Sequence, residues 1–167
     1  MRKLKLEELG RVSTEEYKNI EKIPVVVVLD NIRSMHNVGA VFRTADAFLI
    51  EKVYLCGITA TPPHKEIHKT AIGATESVDW EYEENALNLI EKLRKDNYSI
   101  VCIEQVENSI SFPEYEVDPS RKYAIVMGNE VDGVQQEIID KTDVCLEIPQ
   151  SGTKHSLNVS VCTGIVL

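Results

Sequence analysis

Two short loops near the end of the chain contain side chains suited to bind a small polar ligand. The first, GNE at residues 128–130, follows an apolar run over residues 123–127. The second follows an apolar run over residues 144–148 and leads to SLN at residues 156–158. Such runs are typical of buried parallel strands, and open α/β sheets bind ligands at the carboxyl ends of their strands. We therefore expect one pocket that contains a carboxylate, two amides and a hydroxyl.

A third loop, earlier in the chain, combines amides with cationic side chains. Residues 31–48 read NIRSMHNVGAVFRTADAF and follow an apolar run over residues 25–29. Asn37 is able to cap a helix that runs to about residue 48, and Arg43 lies nearly two helical turns further on. Both side chains could reach a substrate that lies across the start of this helix. The alternative is that Asn37 only caps the helix and Arg43 only forms a surface ion pair.

Strands and helices that alternate along the chain must hold these loops. Helices are predicted from apolar residues spaced three and four apart and from capping signals such as Ser13 followed by Glu16. Residues 107–122 contain two prolines and are expected to be mostly irregular. The alternation predicts an α/β fold with a mainly parallel sheet flanked by helices. The predicted strands cover residues 25–29, 53–56, 78–82, 98–103, 123–127 and 144–148, and the predicted helices cover residues 13–22, 37–48, 84–95 and 134–139, with a helical stretch near residue 70 and a final helix after residue 158.

Length and composition fit one globular domain without a membrane span. The chain has 167 residues, of which 43% are hydrophobic, enough for one sizeable core. No stretch approaches the roughly 20 apolar residues of a transmembrane helix, and the start of the chain lacks the apolar core of a signal peptide. The four cysteines form no Cys-x-x-Cys pair, which argues against zinc. Free thiols are typical of a reducing compartment, so we expect a cytoplasmic protein.

The net charge limits the nucleic-acid contacts that the chain can make. It is -9 at pH 7, and a large non-specific nucleic-acid surface is not expected because such surfaces bind by neutralising phosphates. Local basic segments are present at residues 64–69 and at residues 2–11. For the second of these segments, a solvated tail is the alternative to an RNA contact.

The three polar loops, in their order and spacing, resemble the three signature motifs of the SpoU (TrmH) family of RNA ribose 2'-O-methyltransferases, part of the wider SPOUT class. The resemblance runs from about residue 25 to the end, and the loop over residues 62–74 shares it. The motifs as they stand here are Asn31-x-Arg33-x-x-x-Asn37-x-Gly39-x-x-x-Arg43, Met127-Gly128-Asn129-Glu130-x-x-Gly133, and Ile148-Pro149-x-x-Gly152 followed by Ser156-Leu157-Asn158-Val159-Ser160.

The resemblance implies a doubly wound α/β domain over residues 24–167, preceded by a short helical extension over residues 1–23. It further implies that the segment at about residues 123–167 is threaded through a loop as a deep trefoil knot, a rare feature among folds. Family members bind S-adenosyl-L-methionine in the knot and work as homodimers without a metal, so we expect the same of this chain. They often extend the last helix beyond the position of Leu167.

The resemblance also implies which residues hold the cofactor and which act on the substrate. The reaction is an in-line attack of a ribose 2'-hydroxyl on a methyl group, which requires positioning and loss of the hydroxyl proton. The residues expected to bind the cofactor are Glu104, Met127, Gly128, Asn129, Ile148, Ser156 and Leu157. The expected catalytic residues are Asn37, Arg43, Glu130, Ser156 and Asn158.

In the family, the position of Arg43 is the one usually linked to the 2'-hydroxyl. A guanidinium stays protonated in proteins, so we expect Arg43 to bind the phosphate or the ribose oxygen and to stabilise developing negative charge. The proton would leave through phosphate or water. Asn37 is expected to orient Arg43 or the ribose, while Glu130, Ser156 and Asn158 organise the loops and the substrate. For Glu130, a purely structural carboxylate that accepts loop N–H bonds is the alternative.

Basic side chains near the motifs are expected to hold tRNA or rRNA, since phosphate contacts position a strand and the 2'-hydroxyl distinguishes RNA from DNA. The segment before residue 25 is unlike the ribosomal-protein-like domain of some relatives. This favours a compact substrate such as a tRNA loop, or dependence on a partner protein. The expected RNA-binding residues are Arg33, His36, His64, Lys65 and Lys69.

Three other functions stay open at the level of sequence. The first is a non-catalytic knotted protein that binds RNA or cofactor, and the intact Asn37, Arg43 and Glu130 argue against it. The second is a dinucleotide-binding enzyme, which would carry a Gly-x-Gly-x-x-Gly turn after the first strand, where this chain has DNIR at residues 30–33. The third is a relative that methylates a base, which the three-motif match disfavours.

Overall fold

The apolar runs form the centre of one sheet with helices on both faces. The computed structural model describes residues 1–167, with the exception of the side chain of Leu6. Within the described residues the strands are β1 (Ile23–Asp30), β2 (Ile50–Cys56), β3 (Trp80–Glu83), β4 (Tyr98–Ile103), β5 (Ile110–Ser111), β6 (Lys122–Met127) and β7 (Val144–Glu147). Their order across the sheet is β3-β2-β1-β6-β4-β7-β5, and the pairs are parallel. All strands therefore present their carboxyl ends at one edge of the sheet.

Helices connect the strands. They are α1 (Thr14–Asn19), α2 (Met35–Ala47), α3 (Lys65–Ala71), α4 (Ala74–Ser77), α5 (Ala86–Lys95), α6 (Gln136–Ile139) and α7 (Val159–Val166), and short 3₁₀ turns occupy Leu6–Leu9 and Phe112–Glu114. Among the described residues, no helix is both long and apolar enough to cross a membrane.

The central strand β1 is apolar on both faces because helices cover both sides of the sheet. Successive side chains of a strand point to opposite faces. Leu29 packs in the same core as Phe42 of α2, while Val28 packs in the core that contains Ile90 of α5. Full burial of each such side chain contributes about 1.5–3 kcal/mol. These contacts fix the end of β1, and with it the point at which the first motif begins.

The predicted α/β class with a mainly parallel sheet is confirmed. The strands predicted at residues 25–29, 53–56, 98–103, 123–127 and 144–148 are present with ends shifted by up to three residues, and the strand predicted at residues 78–82 begins two residues later. The predicted capping box at Ser13 and Glu16 is also present. The short strand β5 was missed, because two residues give no alternation that a sequence pattern can register.

The expectation that Asn37 caps α2 is wrong. The hydroxyl of Ser34 caps the helix by accepting a hydrogen bond from the backbone N–H of Asn37 at 3.3 Å. Asn37 lies within the first turn and is buried. Both residue types are good caps, and the sequence alone does not rank them. The side chain of Asn37 therefore does not cap its own helix. It bonds instead to Glu130 and Asn158.

Helices α2 and α3 approach so closely that only glycine fits between them at residue 39. A Cβ atom on Gly39 would lie 2.1 Å from Oγ1 of Thr70 and 2.2 Å from the carbonyl oxygen of Ile67. The hydroxyl of Thr70 also donates a hydrogen bond to the carbonyl oxygen of His36 at 2.9 Å. The basic segment at residues 64–69, which forms most of α3 and its cap, is therefore held next to the start of α2.

Candidate active site

A cavity of about 490 Å³ opens where β4, β6 and β7 end. Its volume is in the range of small-ligand sites, roughly 300–1,000 Å³. The seven residues predicted to bind the cofactor all line it: Glu104, Met127, Gly128, Asn129, Ile148, Ser156 and Leu157. The structure therefore brings this predicted set together, while contact with a cofactor stays a prediction.

The three motifs are joined at the rim of this cavity by Asn37, Glu130 and Asn158, which we call the Asn37 cluster. Glu130 and Asn158 line the cavity, and Asn37 lies behind them. The carboxylate of Glu130 accepts a hydrogen bond from Nδ2 of Asn37 at 3.0 Å. Oδ1 of Asn37 in turn accepts one from Nδ2 of Asn158 at 3.0 Å. Because an ionised carboxylate only accepts hydrogen bonds, the amide nitrogen of Asn37 must face Glu130. Its oxygen is left to face Asn158, so the orientation of the whole cluster is fixed.

Glu130 also anchors the start of α2. Its carboxylate accepts hydrogen bonds from the backbone N–H groups of Arg33 at 2.9 Å and Ser34 at 3.0 Å. Partial burial on its own raises the pKa of Glu130, but these two bonds, with that from Asn37, outweigh it and hold the pKa below its usual value. The contacts are those of the structural carboxylate that the sequence offered as an alternative. The same contacts hold Asn37 next to Glu130 and Asn158, which line the cavity.

Asn158 also caps the start of α7. Its Oδ1 accepts hydrogen bonds from the backbone N–H of Ser160 at 2.9 Å and from the hydroxyl of Ser160 at 2.6 Å. Asn158 is therefore the N-cap of α7, as well as a partner of Asn37. One amide thus ties the starts of two helices together. Ser156, two residues earlier, is exposed on the cavity wall.

The loop after β6 has no room for a side chain at Gly128. A Cβ atom there would lie 2.2 Å from the backbone nitrogen of Val134 and 2.3 Å from the carbonyl carbon of Gly133. The carboxylate of Glu104 accepts a hydrogen bond from the backbone N–H of Val134 at 3.0 Å and another from that of Gln105 at 2.8 Å. Glu104 therefore holds this loop from the end of β4, a positioning role that the sequence did not indicate.

The side chain of Asn129 joins its own loop to the loop after β1. Its Nδ2 donates to the carbonyl oxygen of Asn31 at 2.6 Å, and its Oδ1 accepts from the N–H groups of Val131 at 2.8 Å and Asp132 at 3.2 Å. The polar atoms of the side chain are thereby engaged. The backbone N–H and carbonyl oxygen of Asn129 are likewise paired with Gly133, at 3.0 and 2.9 Å. Asn129 therefore shapes the loop that lines the cavity.

Two further pairs of polar residues were not predicted, and only the second pair lines the cavity. Nε2 of Gln135 donates to both carboxylate oxygens of Asp30, at 2.8 and 3.0 Å. Burial raises the pKa of Asp30, and the hydrogen bonds from Gln135 oppose that rise. Nε2 of Gln105 donates to the carbonyl oxygen of His155 at 3.0 Å, joining the loop after β4 to the loop after β7. For the pair of Asp30 and Gln135, the only signal in the sequence was that Asp30 directly follows the apolar run at residues 25–29.

Arg43 is not among the described residues that line the cavity. A helix turns by about 100° per residue, so six residues place Arg43 about 240° around α2 from Asn37. Arg43 is exposed and lies on the side of the helix that carries His36. The two side chains therefore do not lie together within one chain, and the expectation that both reach one substrate stays a prediction.

The predicted RNA-binding residues lie together beside the start of α2, and two of them are paired with an acid. Glu66 accepts hydrogen bonds from Nε2 of His36 and from Nζ of Lys69, each at 2.8 Å. Nδ1 of His64 accepts from the backbone N–H of Glu66 at 3.2 Å and caps α3. Glu66 therefore offsets part of the positive charge of this surface. The other two predicted side chains are exposed: Arg33 and Lys65.

The motifs and the fold can be compared with known proteins. A sequence model of the SpoU rRNA Methylase family matches residues 24–167. This chain belongs to the SpoU family. Its α/β fold, a parallel sheet flanked by helices, matches a crystal structure of an AdoMet-bound rRNA methyltransferase from Sinorhizobium meliloti with a TM-score of 0.80 and 26% identity, covering 90% of this chain and 57% of that one.

Curated relatives of this SpoU chain act on two kinds of RNA. A tRNA (guanosine(18)-2'-O)-methyltransferase from Aquifex aeolicus is 35% identical over 149 residues, covering 86% of this chain and 66% of the relative. A 23S rRNA (guanosine-2'-O-)-methyltransferase RlmB from Neisseria meningitidis is 31% identical over 150 residues, covering 90% of this chain and 59% of the relative. The SpoU chain thus spans roughly three fifths of the length of the curated relatives that it matches.

Proposed function

We propose that this SpoU chain transfers a methyl group from S-adenosylmethionine to a ribose 2'-hydroxyl of tRNA or rRNA. The observation that carries the proposal is the Asn37 cluster. Its hydrogen bonds join residues 93 and 121 positions apart in the sequence at the rim of a ligand-sized cavity. The Aquifex and Neisseria relatives, described as 2'-O-methyltransferases of tRNA and of 23S rRNA, support this reaction.

The cavity residues fit the cofactor. Gly128 and the loops after β4 and β7 line the cavity, and backbone N–H and C=O groups at strand ends suit adenine and ribose. Met127, Ile148 and Leu157 offer apolar surface for the adenine ring. When bound, S-adenosylmethionine supplies a methyl group on a positively charged sulfur. No metal is required for this transfer, because the leaving thioether is neutral.

The rim residues would position the acceptor ribose. The amides of Asn37 and Asn158 are held in one orientation by Glu130, so they need no rearrangement when the substrate enters. The hydroxyl of Ser156 stands on the same wall. A guanidinium with five N–H donors suits the phosphate or the 2'-oxygen as it gains negative charge, and Arg43 would supply that group.

Arg43 would reach the acceptor site of a second copy in a homodimer. Within one chain it lies on a different side of α2 from Asn37, exposed to solvent. Exposed apolar side chains are present at the end of α2 and on α7, namely Phe48, Val161 and Ile165, which are 42–49% exposed. Burial of such a surface between two copies would stabilise a dimer. It would also place the two sites near the interface.

We further infer that residues 24–167 form one methyltransferase domain and that residues 123–167 are threaded as a trefoil knot. The match of the SpoU family model to residues 24–167 supports both inferences. Residues 1–23 would be an extension attached through Tyr17, whose hydroxyl donates to the carbonyl oxygen of Ala45 at 3.5 Å.

The proposal is tested by methyl transfer from labelled S-adenosylmethionine to total tRNA and, separately, to ribosomal RNA, followed by nuclease mapping of the labelled nucleotide. A 2'-O-methylated nucleotide in one RNA class is the expected result and names the substrate. Cofactor binding without transfer to either RNA would instead support the non-catalytic alternative.

Cys162 offers a direct check of the cofactor site. Of the four cysteines it alone is partly exposed, and it lines the cavity. Burial raises the pKa of the Cys56 and Cys102 thiols to about 12, which leaves them unreactive. Burial also raises the pKa of Cys162, so we expect slow alkylation at Cys162 alone, blocked by saturating S-adenosylhomocysteine. Peptide mapping by mass spectrometry measures this, and a reaction rate that the ligand leaves unchanged would place the ligand elsewhere.

A further inference from the structure

A second cavity, of about 480 Å³, lies beside α3 and shares no lining residue with the candidate active site. We call it the Trp80 groove and define it by Pro62, Pro63, His64, Lys65, His68 and Trp80. The fully buried Ile67 forms part of its floor. The groove therefore combines an aromatic and apolar wall with three basic side chains.

A short chain of contacts links the groove to the Asn37 cluster. His36, the residue before Asn37, contacts Glu66 through its Nε2 at 2.8 Å. The backbone N–H of Glu66 donates to Nδ1 of His64 at 3.2 Å, and His64 lines the groove. A nucleic-acid strand bound at the Asn37 cluster could therefore continue over His36 and enter the groove without leaving the protein surface.

The groove is better suited to a base than to a phosphate backbone alone. Trp80 begins the edge strand β3 and is half-buried, so part of its indole is open to the groove. Unpaired bases stack on aromatic side chains of this kind. Lys65 is a cation for a single phosphate, but Glu76 lines the same groove and reduces the overall attraction for phosphate. A carboxylate can also accept hydrogen bonds from the amino group of a base.

We propose that the Trp80 groove binds an unpaired nucleotide of the RNA substrate. Its base stacks on Trp80, and its phosphate lies near Lys65. The inference rests on the proposed function, since the RNA to be methylated is the occupant. The groove would select RNAs that place an unpaired nucleotide at a fixed distance from the methylated ribose.

The single tryptophan of the chain makes this directly measurable, because the intrinsic indole fluorescence comes from Trp80 alone. Total tRNA and a short unstructured oligoribonucleotide are titrated into the wild-type protein in the presence of S-adenosylhomocysteine. Stacking predicts quenching that saturates at the RNA concentration found by an independent filter-binding measurement. Binding without any change in fluorescence would overturn the proposal.

Variants test the energetic role of the indole. Trp80→Ala is expected to weaken tRNA binding by roughly 5- to 100-fold, the effect of losing one stacked base, and Trp80→Phe by less. Tyr82→Ala is the matched control, since Tyr82 is an aromatic residue of the same strand, is 48% exposed and lies outside the groove. Unchanged S-adenosylhomocysteine affinity by calorimetry shows that each variant is folded. If Trp80→Ala does not fold, the RNA affinity of Trp80→Phe and the fluorescence titration of the wild-type protein show whether a base stacks on Trp80.

Each combination of results has a distinct meaning. If the wild-type protein methylates RNA while Trp80 is neither quenched nor needed for affinity, only the groove proposal fails. If the wild-type protein binds cofactor but neither binds nor methylates RNA, the proposed function fails, and the groove proposal fails with it. Equal losses of RNA affinity in Trp80→Ala and Tyr82→Ala would show that the effect comes from the edge strand rather than from the groove, and would overturn the groove proposal.

Discussion

Replacement of Arg43 by alanine is expected to lower the rate of methyl transfer by roughly 100- to 1,000-fold, the usual effect of removing one donor to a developing oxyanion. Affinity for S-adenosylhomocysteine should stay unchanged, because Arg43 is not among the described residues that line the cofactor cavity. Single-turnover transfer to the identified RNA, with calorimetry for the ligand, measures both quantities.

Two control variants separate charge from geometry. Arg43→Lys keeps the positive charge but loses the planar fork of donors, so it should recover only part of the rate. Arg121→Ala removes another exposed arginine, one that pairs with Asp118 at 3.2 Å, and should behave as wild type. Wild-type turnover by Arg43→Ala with RNA and cofactor bound would remove Arg43 from the mechanism.

A mixing experiment tests whether Arg43 acts across a dimer. Arg43→Ala and Asn158→Ala are each expected to be inactive alone. A heterodimer of the two contains one complete site if Arg43 serves the partner's cavity, so a statistical mixture should recover about a quarter of wild-type activity. Recovery would be absent if Arg43 acts within its own chain, because no site in the mixture would then be complete.

Replacement of Glu130 by glutamine is expected to reduce methyl transfer by about 100-fold, since small displacements of positioning groups have effects of this size. One carboxylate now accepts from two backbone N–H groups and from Asn37. An amide has a single acceptor oxygen, and its NH₂ group would face donors. The start of α2 and the orientation of Asn37 should both loosen, with a loss of stability of about 1 kcal/mol.

The measurements are rates of transfer and urea unfolding, with Glu137→Gln as the control. Glu137 is an exposed glutamate of α6, so the same chemical change there should alter neither property. Normal transfer by Glu130→Gln would show that the carboxylate is dispensable and that the cluster holds its shape by packing alone.

The Glu130 contribution to stability depends on pH in a defined direction. Its folded-state pKa lies below the usual value, which is about 4.3 for a free glutamate. The contribution is therefore fully present above that pH and is lost as the pH falls through the lowered folded-state pKa. The stability difference between wild type and Glu130→Gln should be largest at neutral pH and shrink on acidification below about pH 4. A difference that stays constant into the acid range would exclude this linkage.

The sheet could be predicted from sequence because burial on both faces leaves continuous apolar runs. Residues 123–127 and 144–148 are examples, and both became strands at the expected places. The start of α2 could not be predicted, since Ser34 and Asn37 are equally good caps. The choice between them depends on Glu130, which is 96 residues away from Ser34 in the sequence. Local propensity contains no information about a contact of that range.

The residues that line the cavity could largely be predicted from the motifs, whereas the contacts that each side chain makes could not. The motifs name Asn129 and Glu130 together, but only the structure shows that the Asn129 side chain bonds to its own loop and to Asn31, while Glu130 bonds to the start of α2. The sequence likewise groups Asn37 with Arg43, and only helical rotation separates them. Trp80 belongs to no motif, and a single tryptophan in a short edge strand gave no signal of a groove.

The long sequence separation within the Asn37 cluster has a consequence for how the protein is made. Its hydrogen bonds join residues 93 and 121 positions apart. Such non-local contacts form late in folding, because closing a long loop costs entropy before the contacts can stabilise the chain. On the ribosome the ligand cavity cannot be completed until Asn158 has emerged. Binding then stabilises only the finished state by mass action. Affinity for the cofactor therefore appears only when the native fold is complete, and an incompletely folded copy cannot bind the ligand.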